Sequence, residues 1–355
     1  MKKRDSLKLT MLAGLVLSSF AGALIAQDEV AAEAEVPAEE VAAPEAATPP
    51  VKPRPSELSR LAYRGLLLDV TTSGKHLFAV GDRGTVLVSN NARDWAQVQT
   101  PSRSALTGIA FADENIGYAV GHDAVILKTS DGGKTWLLQN FQPELEKPFL
   151  SVLALDADNV IALGAYGLMY RTSDGGSTWN EVNAPAIREE ELHLNGIAKL
   201  GNGSLLVVGE QGTAGLSTDG GSNWEKLVSP YDGSLYGAIA VGDKGALIFG
   251  LRGNVYRSDD VAAGVWTQIN VNTVSSFFGG TALPDGGVAL VGLAGKVLRL
   301  DSSGGVSALV VTRPQTDANG NTTDKEVTGS FASAHVWAGR LVVVGEQGVQ
   351  ALRIN

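Results

Sequence analysis

Seven times along the chain an apolar run closes on a glycine: FAVG, YAVG, IALG, LVVG, LIFG, ALVG and VVVG end at Gly81, Gly121, Gly164, Gly209, Gly250, Gly292 and Gly345. The steps between these glycines are 40, 43, 45, 41, 42 and 53 residues. Tryptophans keep the same stride at Trp95, Trp136, Trp179, Trp224 and Trp266. A fixed period of this size is the mark of a repeat architecture. Within the second unit the apolar positions fall into four short runs, LTGIAFA, IGYAV, VILKTS and WLLQN, rich in β-branched and aromatic residues and separated by Asp, Asn and Gly. Such runs predict strands joined by tight turns. Helical repeats would need runs of ten or more residues at 3.6 spacing, and the units contain none. Four strands per repeat of about 42 residues is the form of a propeller blade. The pattern therefore predicts an all-β fold, a seven-bladed β-propeller of four-stranded blades spanning residues 57–355.

The last unit, TGSFASAHVWAGRLVVVGEQGVQALRIN, supplies only three strands. Its outer strand is expected from the N-terminal side, around Glu57 to Gly65, so that the last blade is closed by an N-terminal strand and no ring edge stays open. The 53-residue step reflects an insertion, RPQTDANGNTTDKE, between the sixth and seventh units.

Upstream of the repeats the pattern changes. MKKRDSLKLT is followed by an apolar run from Met11 to Ile25 and a small-residue exit, the layout of a secretory signal peptide over residues 1–26, with cleavage after Ala23 or Ala26. The apolar run is short of the ~20 residues that span a bilayer, so no membrane insertion is expected after cleavage. Residues 27–56 are rich in Ala, Glu and Pro and nearly free of large apolar side chains. They predict an unfolded acidic tether, reaching up to about 90 Å at ~3.1 Å per residue.

Charge narrows the partners. The net charge is −10, and removing the four bases and one acid of residues 1–26 takes it to −13, a poor balance for binding nucleic acid. The chain has no cysteine, hence no disulfide and no lipid attachment at the signal exit, and the expected product is a periplasmic protein, monomeric when free.

Two corners repeat almost verbatim: KTSDGGKTW ends at Trp136 and RTSDGGSTW at Trp179. Both fit Ser/Thr-x-Asp-x-Gly-x-Thr-Trp, through Asp131, Gly133 and Trp136, then Asp174, Gly176 and Trp179; a third copy, Asp219, Gly221 and Trp224, departs only at Asn223. VSNNARDW and RSDDVAAGVW are degraded copies. The motif resembles the Asp-box, the bacterial neuraminidase repeat. The Asp carboxylate can accept backbone N–H bonds across its own turn, the glycine supplies positive φ and the ring plugs the gap beneath. A catalytic residue is needed once, whereas a turn device recurs with the turn, so these boxes are expected to be structural.

Sialidases share the box, but their chemistry uses three arginines, a tyrosine nucleophile with a glutamate partner and an aspartate acid/base. The nearest match to their Phe/Tyr-Arg-Ile-Pro motif, Tyr63-Arg64-Gly65-Leu66, lacks both the isoleucine and the proline. His76, His122, His193 and His335 show no metal-ligand spacing. Asp317, Asn319, Asn321 and Thr323 alternate as in a calcium loop, but Thr322 and Thr328 stand where glycine and glutamate are required. No phosphate-cradling loop or nucleophile elbow is present, and neither a cofactor, a metal nor catalysis is expected.

More informative are the turns beginning at the marker glycines: GDRG, GHDA, GAYG, GEQG, GLRG, GLAG and GEQG. Constant ends with variable centres describe a binding surface on a repeated frame. The candidates are Asp82, Arg83, His122, Asp123, Tyr166, Glu210, Gln211, Arg252, Glu346 and Gln347, of which Arg83, Arg252, His122, Tyr166, Glu210 and Glu346 are taken as the partner-binding set.

Taken together, the signal, tether, seven units, SDGGKTW corners and G-x-x-G turns, covering Leu58 to Asn355, resemble the photosystem II stability/assembly factor family of propellers. That resemblance implies a non-enzymatic scaffold that holds a membrane-protein complex during assembly, on the lumenal side in phototrophs. Some relatives in bacteria without a photosystem are encoded beside resistance-nodulation-division exporters, which makes such an exporter a candidate partner. The chain departs from cyanobacterial members in lacking a lipoprotein cysteine and in a sparse arginine face, with Arg83 and Arg252 the best matches; both departures favour a periplasmic relative. The alternatives are a photosystem II assembly factor in a phototroph, and an extracytoplasmic glycan-binding or sialidase-like propeller.

Overall fold

The computed structural model describes residues 51–317 and 320–353; the expected signal peptide and most of the tether lie outside them. Six blades are four-stranded antiparallel sheets in simple up-and-down order. In blade 2 the strands are Leu106–Phe111, Gly117–Gly121, Ile126–Thr129 and Leu137–Asn140. The first strands, Leu67–Ser73, Leu106–Phe111, Phe149–Ala154, Leu194–Lys199, Leu235–Val241, Phe277–Ala282 and Phe331–Trp337, touch one another in sequence, and the last touches the first. They are the inner wall of a closed seven-bladed ring.

The glycine-ended runs are the second strands, and they are buried throughout their apolar length. Sheets covered on both faces carry continuous apolar runs rather than alternation. The core follows suit: it divides into clusters that each belong to two neighbouring blades. Phe78, Val80 and Val86 of blade 1 pack with Leu106, Ala119 and Leu127 of blade 2, and Leu67, Leu77 and Ala79 of blade 1 pack with Val342 and Val344 of blade 7. Each of the Val, Leu and Phe side chains contributes about 1.5–3 kcal/mol by leaving water, and no blade can bury its faces alone.

Every marker glycine has the same reason to be glycine. The residue after it donates its N–H to the carbonyl just before the inner strand of its own blade: Asp82 to Leu66 O, His122 to Ala105 O, Ala165 to Pro148 O, Glu210 to His193 O, Leu251 to Ser234 O, Leu293 to Ser276 O and Glu346 to Ser330 O, at 2.8–3.1 Å. That carbonyl lies where a Cβ would be, 2.0 Å away at Gly121 and 2.2 Å at Gly81. The backbone there is extended (φ −177° at Gly81), so close approach rather than a special dihedral excludes a side chain.

The ring closes between blades 7 and 1 without a covalent link. Asp69 Oδ1 accepts from Ser333 Oγ at 2.8 Å, while its Oδ2 accepts from Ile109 N of blade 2 at 2.9 Å. One carboxylate thus ties three blades. Desolvation still pushes its pKa above the ordinary value, against the lowering effect of its donors from Ile109, Ser333 and Val70. Thr72 Oγ1 and His335 Nε2, 3.0 Å apart, add a second contact across the junction.

Blade 7 corrects the expectation of an N-terminal closing strand. Among the described residues it is a three-stranded sheet, Phe331–Trp337, Arg340–Gly345 and Gly348–Arg353, and residues 57–65 form no strand. Their hydrogen bonds are spent locally, Ala62 N to Ser59 O, Arg64 N to Leu61 O and Gly65 N to Ala62 O, which curls Ala62–Arg64 into a single 3-10 turn. That turn sits against Gly348 (φ +75°), where a Cβ would lie 2.0 Å from Tyr63 O. Ordered packing begins before residue 57: Ser56 is buried, donating its N–H to Thr100 O at 2.9 Å and accepting from Thr100 N at 2.8 Å. The insertion before blade 7 is a separate hairpin, Thr312–Thr316 paired with Thr322–Glu326. Asp317 closes it by accepting from Asn321 N at 2.8 Å and Asn321 Nδ2 at 3.1 Å.

Replacing Gly121 with Ala forces a methyl group onto Ala105 O, and the expected loss in a urea titration is about 2–3 kcal/mol. Gly203→Ala is the control. A Cβ there meets nothing within 4 Å, so only its positive φ is penalised, at about 1 kcal/mol.

Candidate functional site

The antiparallel order puts the turns between strands one and two, and three and four, on one face, and the turns between strands two and three on the other. The Asp-boxes occupy the first face. Asp131 Oδ1 accepts from Lys134 N at 3.0 Å and Thr135 N at 2.9 Å, and its Oδ2 accepts from Thr135 Oγ1 at 2.6 Å. Thr129 Oγ1 donates to Asp131 Oδ1 and accepts from Gly133 N, both at 2.9 Å. Asp174 repeats this with Thr178 and Thr172. Asp219 does so with Ser217 and Asn223, where Asn223 Nδ2 at 2.7 Å replaces the threonine hydroxyl. The Asn223 departure is therefore chemically neutral. These bonds hold all three carboxyls near pKa 2, led by the Thr135 hydroxyl at Asp131, the Thr178 N–H at Asp174 and the Asn223 N–H at Asp219.

The boxes also join blades. A Cβ on Gly133 would lie 2.4 Å from the Phe78 ring of the preceding blade, and one on Gly221 2.4 Å from Ile161 Cδ1. Trp136 and Trp224 are buried, and Trp179 meets Tyr118 of blade 2 edge-on at 6.0 Å. In blade 1, Asn91 Oδ1 takes the acid's place, accepting from Arg93 N and Asp94 N. In blade 5, Asp260 instead caps a 3-10 turn, Val261–Ala263.

On the opposite face the variable turns are tighter than the G-x-x-G pattern implies. The reversal begins one residue after the marker glycine: Val125 N donates to His122 O and Leu168 N to Ala165 O. Both central residues then have positive φ, as at Arg83 (56°) with Gly84 (68°) and Tyr166 (53°) with Gly167 (68°). This is the hairpin geometry that matches strand twist, and it explains the closing glycine. In blade 2 the closing position is Ala124 at φ 49°. The seventh turn lacks this 3-10 reversal and joins its strands directly, with Gly345 paired to Gly348.

Arg83 and Arg252 do not form one patch. Arg83 is exposed beside Asp82, its Nε 3.5 Å from the carboxylate, and borders a cavity of about 630 Å³ with Glu57 and Arg103. Arg252 belongs to blade 5, three steps around the ring, beside Asn254 and Gln268. His122 is exposed in the blade 2 turn. Tyr166 and Glu210, by contrast, converge on His193. The Tyr166 and His193 rings meet edge-on at 4.8 Å, and Glu210 Oε2 lies 3.3 Å from His193 N and 3.7 Å from its Nδ1. Tyr236 continues the line: its pKa is raised by desolvation and by Tyr231 and Glu210, and its ring lies 5.4 Å from Phe278. A stripe thus runs from the blade 3 turn to the mouth of the central channel. Glu346 stands at that mouth, accepting from Ser330 N at 3.0 Å.

The mouth is built by a feature that the strand pattern does not reveal. Each inner strand carries a bulge at its second residue, where the register skips: Leu68, Thr107, Leu150, Asn195, Tyr236, Phe278 and Ala332. A bulged residue leaves the ladder and its side chain is re-aimed. All seven line one cavity of about 440 Å³, together with Leu66, Ser330, Phe331, Gly345 and Glu346. The next residue of each inner strand is Asp69, Gly108, Ser151, Gly196, Gly237, Gly279 or Ser333, and neighbouring inner strands approach closely there: a Cβ on Gly279 would lie 2.4 Å from Ala332 O. The signal was present as Leu/Phe-x-Gly/Ser/Asp at the start of each unit, with x the channel residue. Among the described residues no cluster of three or more His, Asp or Glu side chains could hold a metal.

Comparison with known proteins agrees with this architecture. The family model for photosynthesis system II assembly factor YCF48 matches residues 87–182 and, overlapping, 139–306. The chain belongs to this family. A solved structure of YCF48 bound to D1 peptide superposes with a TM-score of 0.64 at 20% identity, covering 84% of this chain and 96% of that one. YCF48 from Cyanidioschyzon merolae gives 0.62 at 15% identity, over 84% and 98% of the two chains. An ancestral GH74 enzyme shares the fold at a TM-score of 0.58 and 16% identity, with 86% of this chain matching 46% of that one. No curated protein sequence matches the chain.

The three boxes make an acid-sensitive contribution. Their folded pKa values lie below the ordinary 3.8, so the stabilisation is complete above about pH 4 and disappears as pH falls towards 2. Asp131→Asn is expected to lower Tm by roughly 2–4 °C at pH 7, with the gap to wild type shrinking between pH 4 and 2 in calorimetry.

Proposed function

We propose that this YCF48-family propeller is a non-enzymatic scaffold that grips an extended segment of a membrane-protein complex on the face of the variable turns. The observation that carries this reading is the convergence of the Tyr166–His193–Glu210–Tyr236 stripe on a channel mouth lined by one residue from every blade. A ring of this kind presents recognition groups on a rigid frame. Binding of a peptide by a YCF48 relative is consistent with it. The Asp-box carboxylates, each saturated by donors of its own turn, serve in this reading as structural acceptors rather than as acids or bases.

In this reading the chain is exported to the periplasm with residues 27–56 as a spacer, on the strength of the N-terminal sequence pattern. The partner is a membrane-protein complex, a resistance-nodulation-division exporter facing the periplasm in a non-phototroph or a photosystem intermediate on the lumenal side in a phototroph.

Affinity capture of the tagged native protein from gently solubilised membranes tests the scaffold role, with wild type run beside Tyr166→Ala/Glu210→Lys. Wild type is expected to recover a defined membrane complex, and the variant about tenfold less. Equal recovery would remove this face from the reading, and hydrolysis of a fluorogenic sialoside by wild type would remove the non-enzymatic part. Cell fractionation with N-terminal sequencing checks export: a periplasmic chain beginning at residue 24 or 27 is expected.

A further inference from the structure

The channel mouth has a chemistry of its own, distinct from that of the arginine-bearing turns. Its wall is dominated by half-buried Leu68, Leu150, Tyr236 and Phe278, and its volume of about 440 Å³ lies in the range of sites that enclose a ligand group. Two polar side chains of the ring are tied to the frame: Thr107 Oγ1 donates to Phe149 O at 2.7 Å, and Asn195 Nδ2 donates one of its two hydrogens to Leu235 O at 2.9 Å. Glu346 is the one formal charge among the lining residues, and Glu210 is the nearest charge to Tyr236 on the stripe. A carboxylate entering here would find no cation among the lining residues and would face Glu346, and burying it without a counter-charge is costly. An apolar side chain gains the wall, and a neighbouring cation gains Glu346 and Glu210 at the rim.

We propose that the mouth receives one large apolar side chain, aromatic or leucine, from an extended peptide segment whose adjoining residues are basic. This rests on the reading of the turn face as a peptide-binding surface. It assigns the seven bulges a purpose: each blade offers one re-aimed residue to the ligand, while the marker glycines hold the strand starts that carry them. The cavity of about 440 Å³ accommodates a single side chain, and the peptide backbone stays at the rim along the Tyr166 to Tyr236 stripe.

The test is selection of random dodecapeptides displayed on phage against the purified full chain, followed by fluorescence anisotropy of selected peptides. Ala332→Trp plugs the mouth from within. The same bulge holds Tyr236 and Phe278 in other blades, so the frame has precedent for a ring there; Leu150→Trp is a second plug should the first fail to fold by circular dichroism. Wild type is expected to enrich peptides with Trp, Phe or Leu beside Lys or Arg. Either plug should weaken them at least about tenfold, and Glu346→Lys should weaken them and shift selection towards acidic peptides. Acidic peptides whose binding falls with Arg83→Glu or Arg252→Glu and ignores both plugs would overturn the inference while leaving peptide binding intact. No enrichment by wild type would overturn both readings.

Discussion

The structure depends on one backbone hydrogen bond repeated in every blade, from the N–H after the marker glycine to the carbonyl before the inner strand. It pins the end of the second strand to the beginning of the first, and the glycine is what permits the approach. A side chain there would have to displace a carbonyl, which close-packed interiors tolerate poorly. Because the bond fixes where the inner strand starts, it also fixes the bulge one residue later, and through the bulge the seven side chains around the channel. Fold and candidate site therefore share a cause.

The rest of the molecule is arranged so that each blade depends on its neighbours. Core clusters are shared across blade boundaries, and Asp-box glycines press on rings and aliphatic chains of the preceding blade. The Asp-box acid, often met near enzyme chemistry, serves here as an acceptor of its own loop's N–H groups. Its low pKa reflects that structural task, since a carboxylate saturated by hydrogen bonds is perturbed as surely as a catalytic one.

Repeat number, strand order and corner motifs were legible because each rests on a local constraint that recurs. A buried second strand must be apolar on both faces, as IALG up to Gly164 is, and an Asp-box must carry its Asp and Gly wherever the turn recurs. Blade 7 was less legible. The segment ELSRLAYRG has strand-length spacing, but its own 3-10 hydrogen bonds outcompete pairing with Gly348–Arg353. The site was half legible. Tyr166, Glu210 and Glu346 lie on the face of the variable turns beside the channel mouth, whereas Arg83 and Arg252 are separated by the ring, a relation that only closure establishes. Thr107 and Phe278 went unnoticed because a bulge is a change of register, invisible to hydrophobic alternation.

Asp69 is the exception in an otherwise repetitive row of glycine and serine along the inner strands. Every other pair of neighbouring blades is joined by the continuous chain; blades 7 and 1 are joined by Asp69, Ser333, Thr72, His335 and shared core packing. The ring thus has a seam, and the seam sits where the folded chain's two ends meet. Under mechanical load, or in the earliest local opening, the circle parts there first, while the other six junctions stay threaded on one strand of polypeptide.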